Sequence, residues 1–470
     1  MKIKYIIGIF ASTILLSACD LMDSIGNIQP ENQLEEKNYV TTPRGAEQAL
    51  NGIYQDWRVF EITPFRVHMS LLSGGINNAY VYGSEGFYTN AVKPDNEAIQ
   101  GSYTGLYAVI NAANYLIEAL EANRAVGIDP TRKTEIIGEC KFHRAMAHFM
   151  LLRQFGQFYD VNSAYGIVLR KEPYRPGMPI VPRDKVADCY AFILQDLTDA
   201  STMAPEKVEQ HSRISRLTAK ALKSRVLLYQ KDYPSAATLA KEVLDEAESK
   251  GYRMETDDWG QLFFQHYLHP ETLFAPYTLG ILETCDITLG FSASAYSKDL
   301  STAWAGKAGT FDADPRFITT FQSKEAVRGG LGKYPYNSSP SEKEIGNGYI
   351  FMRLAEVYLI HAEAEARQGQ SHYPAARASL KVITDRVGYP QDLVAHIPDN
   401  ELLEAIRQHK WLELDIENGE EWYDLARYTQ SGDLAWGSVK STLKKEWQLI
   451  LPIPQKALSG NKKLIQNPEY

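Results

Sequence analysis

Two segments, "KDYPSAATLAKEVL" at 231–244 and "SHYPAARASLKVIT" at 371–384, align without a gap. Tyr233 matches Tyr373, Pro234 matches Pro374 and Ala236 matches Ala376. Downstream, Ala240 and Val243 match Leu380 and Ile383, which is the spacing of one buried helical face. Each segment follows another helical pattern, Ser215 to Tyr229 in the first case and Tyr349 to Arg367 in the second. The proline falls at the start of each second helix, where its missing N–H would have had no partner anyway. Each unit therefore reads as a helix, a short turn and a second helix. Such a unit cannot bury its apolar face alone, so it must stack on neighbouring helices.

A second helix opening Y-x-x-A resembles the tetratricopeptide unit. Further helical patterns run over Pro43 to Tyr54, Tyr103 to Ala122, Thr134 to Phe155 and Val186 to Met203. The hairpin over 103–155 is the best candidate for another repeat unit. Between Gly156 and Pro182 four prolines mark loop structure. The fold class read from this is mainly α, a helical-repeat scaffold with an irregular, loop-rich half. The loop-rich regions lie at about 60–100 and 251–345. Both are crowded with aromatic residues, Gly, Ser and Thr, as in "SGGINNAYVYGSEGFYTN" at 73–90 and in Trp259, Phe291, Tyr296, Trp304 and Phe311. Loops that long are usually functional.

The chain starts with Lys2 and Lys4, then an apolar run from Ile6 to Ala18, too short for an ordinary spanning helix. Leu16-Ser17-Ala18-Cys19 resembles a bacterial lipobox, in which the cysteine is acylated and the chain is cut before it. Residues 1–18 read as a signal peptide and 19–38 as a lipidated cysteine with a flexible tether. More than one acyl chain on Cys19 would hold the body stably at a membrane. The formal charge of −9 excludes a nucleic-acid footprint. Cys140, Cys189 and Cys285 are far apart and lack C-x-x-C, so neither a disulfide framework nor a zinc site is expected.

Enzyme signatures are absent. His143 and His148 lack an H-E-x-x-H frame, and His266 and His269 are expected at the surface. Glu413, Asp415, Glu417, Glu420, Glu421 and Asp424 form an acidic run, expected to cap and solvate helices. "GGINNAYVYG" lacks a P-loop lysine, and no G-x-S-x-G occurs. Asp312 and Asp314 do not follow calcium-loop spacing, and Asp312 is expected to brace the turn before Pro315. No cofactor or metal is expected. Trp411, Trp422 and Trp447 fall in helical or tail segments and read as core.

Several stretches together resemble the SusD/RagB family of outer-membrane lipoproteins of Bacteroidetes. They are "GAEQALNGIYQDW" (45–57), "YTGLYAVINAANYLIEAL" (103–120), "KFHRAMAHFMLLRQFGQFY" (141–159), "VADCYAFILQDLTDA" (186–200), "DADPRF" (312–317), "FMRLAEVYLIHAEAEAR" (351–367), "ENGEEWYDLARY" (417–428) and the tail "LPIPQKALSGNKKLIQNPEY". The family often has Glu-Arg where this chain has His409-Lys410, and Arg where it has Glu421; both read as scaffold positions. The resemblance implies a single SusD-like domain over 39–470 with four tetratricopeptide-like units. It implies a surface lipoprotein that captures oligosaccharides and passes them to a TonB-dependent transporter of the SusC type, without enzymatic activity. Peptide binding on the same scaffold, or a purely structural partnership with the transporter, are the alternatives.

A sugar ring offers an apolar face and a rim of hydroxyls, so its site needs flat aromatics and directional polar groups. Tyr80, Tyr82 and Tyr88 lie close to Asn77 and Asn78 in a glycine-rich loop, and Tyr296 and Trp304 come from the second loop region. These seven are the expected ligand-binding residues. The resemblance implies that both regions reach the ligand face.

Overall fold

The computed structural model describes residues 40–58, 65–76, 83–254, 259–278, 314–317, 320, 332–334 and 348–470. Its helices begin where the sequence supplies caps. In α1 (Pro43–Asp56) the Thr42 hydroxyl accepts the N–H of Gly45, and proline opens the first turn. After α2 (Phe65–Ser73) comes α3 (Glu97–Glu121), capped by Asn96. Asp129 caps α4 (Pro130–Phe155), again with proline next. Then follow α5 (Val186–Met203), α6 (Arg216–Gln230), with a Ser215/Thr218 capping box, and α7 (Tyr233–Ala247), capped by Asp232. A short β1 (Thr272–Phe274) pairs antiparallel with β2 (Met352–Arg353), Thr272 opposite Arg353 and Phe274 opposite Met352. The chain closes with α8 (Leu354–Ala366), α9 (Tyr373–Arg386), α10 (Leu402–Leu414), α11 (Glu420–Gln430) and an irregular tail.

From α3 to α9 each helix packs on the next, and α10 packs on α8. This is the tetratricopeptide-like stack read from the repeats. Ala236 and Ala376 are both fully buried, as are Ala240, Val243, Leu380 and Ile383. The small alanine lets each second helix approach its partner closely. Arg367, at the end of α8, lies 5.5 Å from the Tyr233 ring centroid and so joins one unit to the next. Helix α4 is buried on nearly its whole circumference from Ile136 to Phe155, because α1, α3, α5 and α6 all contact it. At Gly138 a Cβ would stand 2.4 Å from the Ala204 backbone nitrogen, so only glycine admits the end of α5 there.

The helix expected to start at Tyr349 starts at Leu354. Phe351 donates its N–H to the Phe274 carbonyl and Leu354 donates to that of Glu271, so pairing with β1 holds 351–353 extended. Cys140 and Cys189 are free and buried; Cys285 lies outside the described residues. Trp411 and Trp422 are buried as expected, whereas Trp447 is half-buried, edge-on to Tyr470 at 4.9 Å. Among the described residues no helix is long and apolar enough to cross a membrane.

Candidate functional site

The acidic run is buried, against the expectation that it solvates helices. Glu413 accepts from Arg353 Nη1 at 2.6 Å, from Arg316 at 3.3 Å and from Arg386. Glu417 takes Arg353 Nε at 2.9 Å and Nη2 at 2.8 Å, a bidentate grip, and Lys333 Nζ at 2.8 Å. Glu271 joins from just before β1, accepting from Arg353 and Arg386 at 2.8 Å each. Further along, Glu420 binds Arg153 at 2.5 Å, and Asp424 binds Lys410 at 3.0 Å and Arg427 at 2.6 Å. Apart from Lys410 and Arg427, the cations come from distant parts of the chain, so a local reading of the run could not see most of what neutralises it.

These pairs tether the described pieces within the second loop region. The segment 314–317 is anchored by Arg316, whose side chain Asp314 grips at 3.0 and 2.7 Å. Segment 332–334 is anchored by Lys333, which also donates to the carbonyls of Glu413 and Asp415, and by the Tyr334 hydroxyl on the Ile416 carbonyl at 2.6 Å. At Gly348 the N–H donates to His266 Nε2 at 3.0 Å. His266 and His269, expected at the surface, are buried; burial pushes His266 down to about 4, which keeps it neutral and able to accept. Asp312 lies outside the described residues, and Asp314 is the residue that braces the turn, accepting the Arg316 N–H at 2.8 Å.

The charges set the carboxylates' behaviour. Despite burial, the guanidinium groups of Arg386, Arg353 and Arg316 hold Glu413 well below the usual range. Asp415 has no guanidinium of its own among the described residues, and burial pushes it up to about 7. Burial, then the nearby Asp415 charge, drives Glu421 well above its ordinary value, so it stays protonated and accepts the Ser70 hydroxyl at 2.6 Å.

The first loop region is rooted on the same floor. Gly74 has φ +85°, and a Cβ at Gly75 would stand 2.6 Å from Asp415 Oδ1. Asn90, at φ 52°, donates its side-chain N–H to the Leu72 carbonyl at 3.0 Å and accepts from the Thr442 hydroxyl at 2.6 Å. The Lys440 stem lies against Gly74, and its ammonium sits 3.4 Å from the Tyr88 ring centroid. Residues 72–76 and 88–90, which flank 77–82, are thus clamped together by residues 440–442 of the tail.

A cleft of about 300 Å³ lies where the chain leaves α1, at Arg58, and where it reaches Tyr277, just before residues 279–313. Its walls are Asn51, Gln55, Arg58, Gln210, Arg213 and Tyr277. Arg213 lies over the Tyr54 ring at 4.2 Å and donates to Asn51, and Arg58 donates to Gln55 at 2.8 Å. The Tyr277 ring leans on Tyr267 at 5.2 Å and is 39% exposed. Amides, guanidinium groups and an open aromatic ring are the groups a sugar needs.

Of the residues expected from sequence to bind ligand, Asn77, Asn78, Tyr80, Tyr82, Tyr296 and Trp304 lie outside the described residues, as does Cys19. Tyr88 is half-buried, with Lys440 on one face of its ring. Its neighbour Phe87 is fully buried against His68. Arg58, Gln210 and Arg213 escaped the sequence reading because their stretches have no motif or periodicity. Tyr277 lies in the aromatic stretch and could have been singled out there. His143 and His148 are core histidines, both pushed down to about 3 by burial. His143 Nδ1 accepts from Trp57 at 2.9 Å. Asp314, spent on Arg316 and Tyr389, has no carboxylate oxygen free of a protein partner.

Comparison with known proteins fits this architecture. The model of the SusD family matches residues 263–470, and a second, described as starch-binding and associating with the outer membrane, matches 30–228. A SusD-like protein of Bacteroides ovatus is 24% identical over 412 residues, 77% of this chain and 72% of the relative. A SusD superfamily crystal structure from Bacteroides thetaiotaomicron superposes with TM-score 0.73 at 22% identity, covering 91% of this chain and 100% of that one. A laminarin-binding SusD-like protein superposes with TM-score 0.71 at 23% identity, covering 92% and 100%. With both halves of the chain matched in order and the helical stack shared, the chain belongs to the SusD/RagB family, carbohydrate-binding proteins associated with the outer membrane rather than enzymes.

Proposed function

We propose that this protein is a cell-surface lipoprotein, anchored through Cys19, that captures a glycan over the loop roots and delivers it to a SusC-like TonB-dependent transporter. Residues 1–18 act as the signal peptide, 19–38 as the tether and 39–470 as one binding body. The single observation that carries this reading is the convergence of both loop regions on one rigid floor. Gly75, Lys333 and Gly348 are held by buried polar contacts, and Arg58 and Tyr277 by more exposed ones to Gln55 and Tyr267. A floor built from multidentate ion pairs resists displacement, which lowers the ordering cost of binding. Asn77, Asn78, Tyr80, Tyr82, Tyr88, Tyr296 and Trp304 are the residues expected to supply ring faces and amides to the ligand. Arg58, Arg213, Gln210 and Tyr277 add donors and a further ring at its side.

The laminarin binding of one structural neighbour makes a β-glucan the first ligand to try. The test is calorimetric titration of the full chain, purified in detergent, against neutral plant, algal and host glycans and a peptide panel. A Tyr80→Ala/Tyr82→Ala/Tyr88→Ala variant and a Tyr277→Ala variant run beside it. Binding to one glycan class, weakened in either variant, supports the reading. Silence across glycans with a peptide signal overturns it in favour of peptide capture. Co-purification with the transporter, lost when Cys19→Ser releases the chain from the membrane, tests the partnership.

A further inference from the structure

A second cleft, of about 390 Å³, shares no wall with the first. It lies between α3, the irregular segment after α4 and the C-terminal tail, and its working residues are Tyr103, Tyr107, Asn111, Arg170 and Tyr174. Tyr174 is 54% exposed although it is held firmly. Its N–H donates to Asn111 Oδ1 at 2.7 Å, and its carbonyl accepts the Tyr115 hydroxyl at 3.0 Å. Two side chains of α3 thus fix a loop residue so that its ring stays open to solvent. The Tyr103 and Tyr107 rings, 4.9 Å apart, line the same cleft.

The hydrogen-bonding capacity left over in this cleft is weighted towards donors. The Tyr107 hydroxyl is spent on the Val168 carbonyl, and Asn111 Oδ1 on Tyr174. Asn461 donates to the Val181 carbonyl and accepts from Lys463. Thr104 Oγ1 accepts from Gln100. What stays free is the Asn111 side-chain N–H₂, the Thr104 and Tyr174 O–H and the Arg170 guanidinium, whose N–H groups meet no acceptor among the described residues. All of these donate. Arg170 is placed rather than loose: its backbone N–H donates to His148 Nε2 at 3.2 Å, and its guanidinium lies 6.0 Å from the Tyr174 ring centroid. Around the tail wall, Lys456, Lys462 and Lys463 are exposed and make no ion pair among the described residues. In a chain with net charge −9, this is a local surplus of cations.

We propose that this cleft is a second saccharide site, selective for an acidic sugar. The ring of Tyr174 takes the sugar face, and Arg170 with Asn111 takes a carboxylate or sulfate group. A guanidinium beside a planar carboxylate offers paired N–H donors that a neutral hydroxyl cannot use as well. The proposal does not rest on the loop site, because no residue is shared.

The test titrates the full chain in detergent with an oligogalacturonate, its methyl ester, a sulfated galactan oligosaccharide, a laminarin oligosaccharide and an acidic peptide. Oligogalacturonate or the sulfated sugar binds, and which of the two binds more tightly identifies the anion. Neutralising the sugar, or substituting Arg170→Gln or Tyr174→Ala, weakens that binding about tenfold or more, as loss of one charged hydrogen bond does. Asp245→Asn, on the far exposed face of α7, changes nothing. Unchanged thermal midpoints for both cleft variants exclude misfolding. Acidic-sugar binding that survives both substitutions overturns the proposal, as does its absence while laminarin still binds. An acidic peptide that binds through Arg170 where sugars do not would reassign the cleft to protein docking.

Discussion

Glu413 is fully buried and faces three guanidinium groups, so Glu413→Gln is a direct test of the floor on which both loop regions rest. Glutamine keeps the volume and one acceptor oxygen. It removes the negative charge and turns N–H donors towards cations that are 0% to 1% exposed and cannot reach water. Removing one partner of a buried pair costs about 3–5 kcal/mol, because the remaining charge stays buried without compensation. One retained acceptor and the intact Glu271 and Glu417 place the expected loss near the lower end, at about 3 kcal/mol. Unfolding entropy of about 2.1 cal/mol/K per residue makes this a shift of roughly 3–4 °C if the body melts as one unit.

The assay is urea unfolding followed by tryptophan fluorescence, with Asp245→Asn as reference. The Lys241–Asp245 pair is short, at 2.5 Å, but its side chains are 58% and 59% exposed. Its loss should cost under about 0.5 kcal/mol. High salt should erase the small reference effect and leave the Glu413→Gln effect, because buried pairs are poorly screened. A Glu413→Gln loss no larger than the reference, or one that salt abolishes, refutes the view that this network is a dry, rigid floor. The same variant should weaken glycan capture, since Arg316 and Arg353 would lose a shared anchor.

Asp415 is raised to about 7 from an ordinary 3.8, so the folded state keeps a proton that the unfolded chain has lost between those values. Its contribution is lost as pH rises through that window, at about 1.4 kcal/mol per unit. Asp415→Asn should therefore stabilise the protein more at pH 7.5 than at pH 5, measured by urea midpoints at each pH; an equal effect at both counts against the burial argument. His148 has the opposite sign: held at about 3 against an ordinary 6.5, it takes up a proton only when the chain unfolds. Stability from its neutral form is present above 6.5 and falls by about 1.4 kcal/mol per unit below it. The deficit of His148→Gln relative to the parent should thus shrink by about 2 kcal/mol between pH 7.5 and pH 5. Ala376→Leu forces a larger side chain into the α8–α9 contact and should cost about 1–3 kcal/mol, with Ala236→Leu behaving alike at the equivalent position; thermal melts of both check the repeat equivalence.

The helical scaffold was legible because its information is local. Helical spacing marked the buried faces of α3, α4 and α5, proline marked the starts of α7 and α9, and Tyr-Pro-x-Ala repeated there at one offset. The strand at 352–353 was missed because its partner is nearly eighty residues away. The same distance hid the fate of the acidic run. Six carboxylates in a dozen residues look solvated until Arg153, Arg316, Lys333, Arg353 and Arg386 arrive from other elements.

The amino-acid sequence by itself determined the helices, their pairing into repeats and the family, since periodicity, the Tyr-Pro-x-Ala repeat and the tail motif need only near neighbours. Only the tertiary structure decided which charges are buried, which histidines are neutral, and where rings and free donors share a cleft. Those outcomes depend on desolvation and on partners brought together from distant segments, and neither quantity is written in any local stretch of the chain.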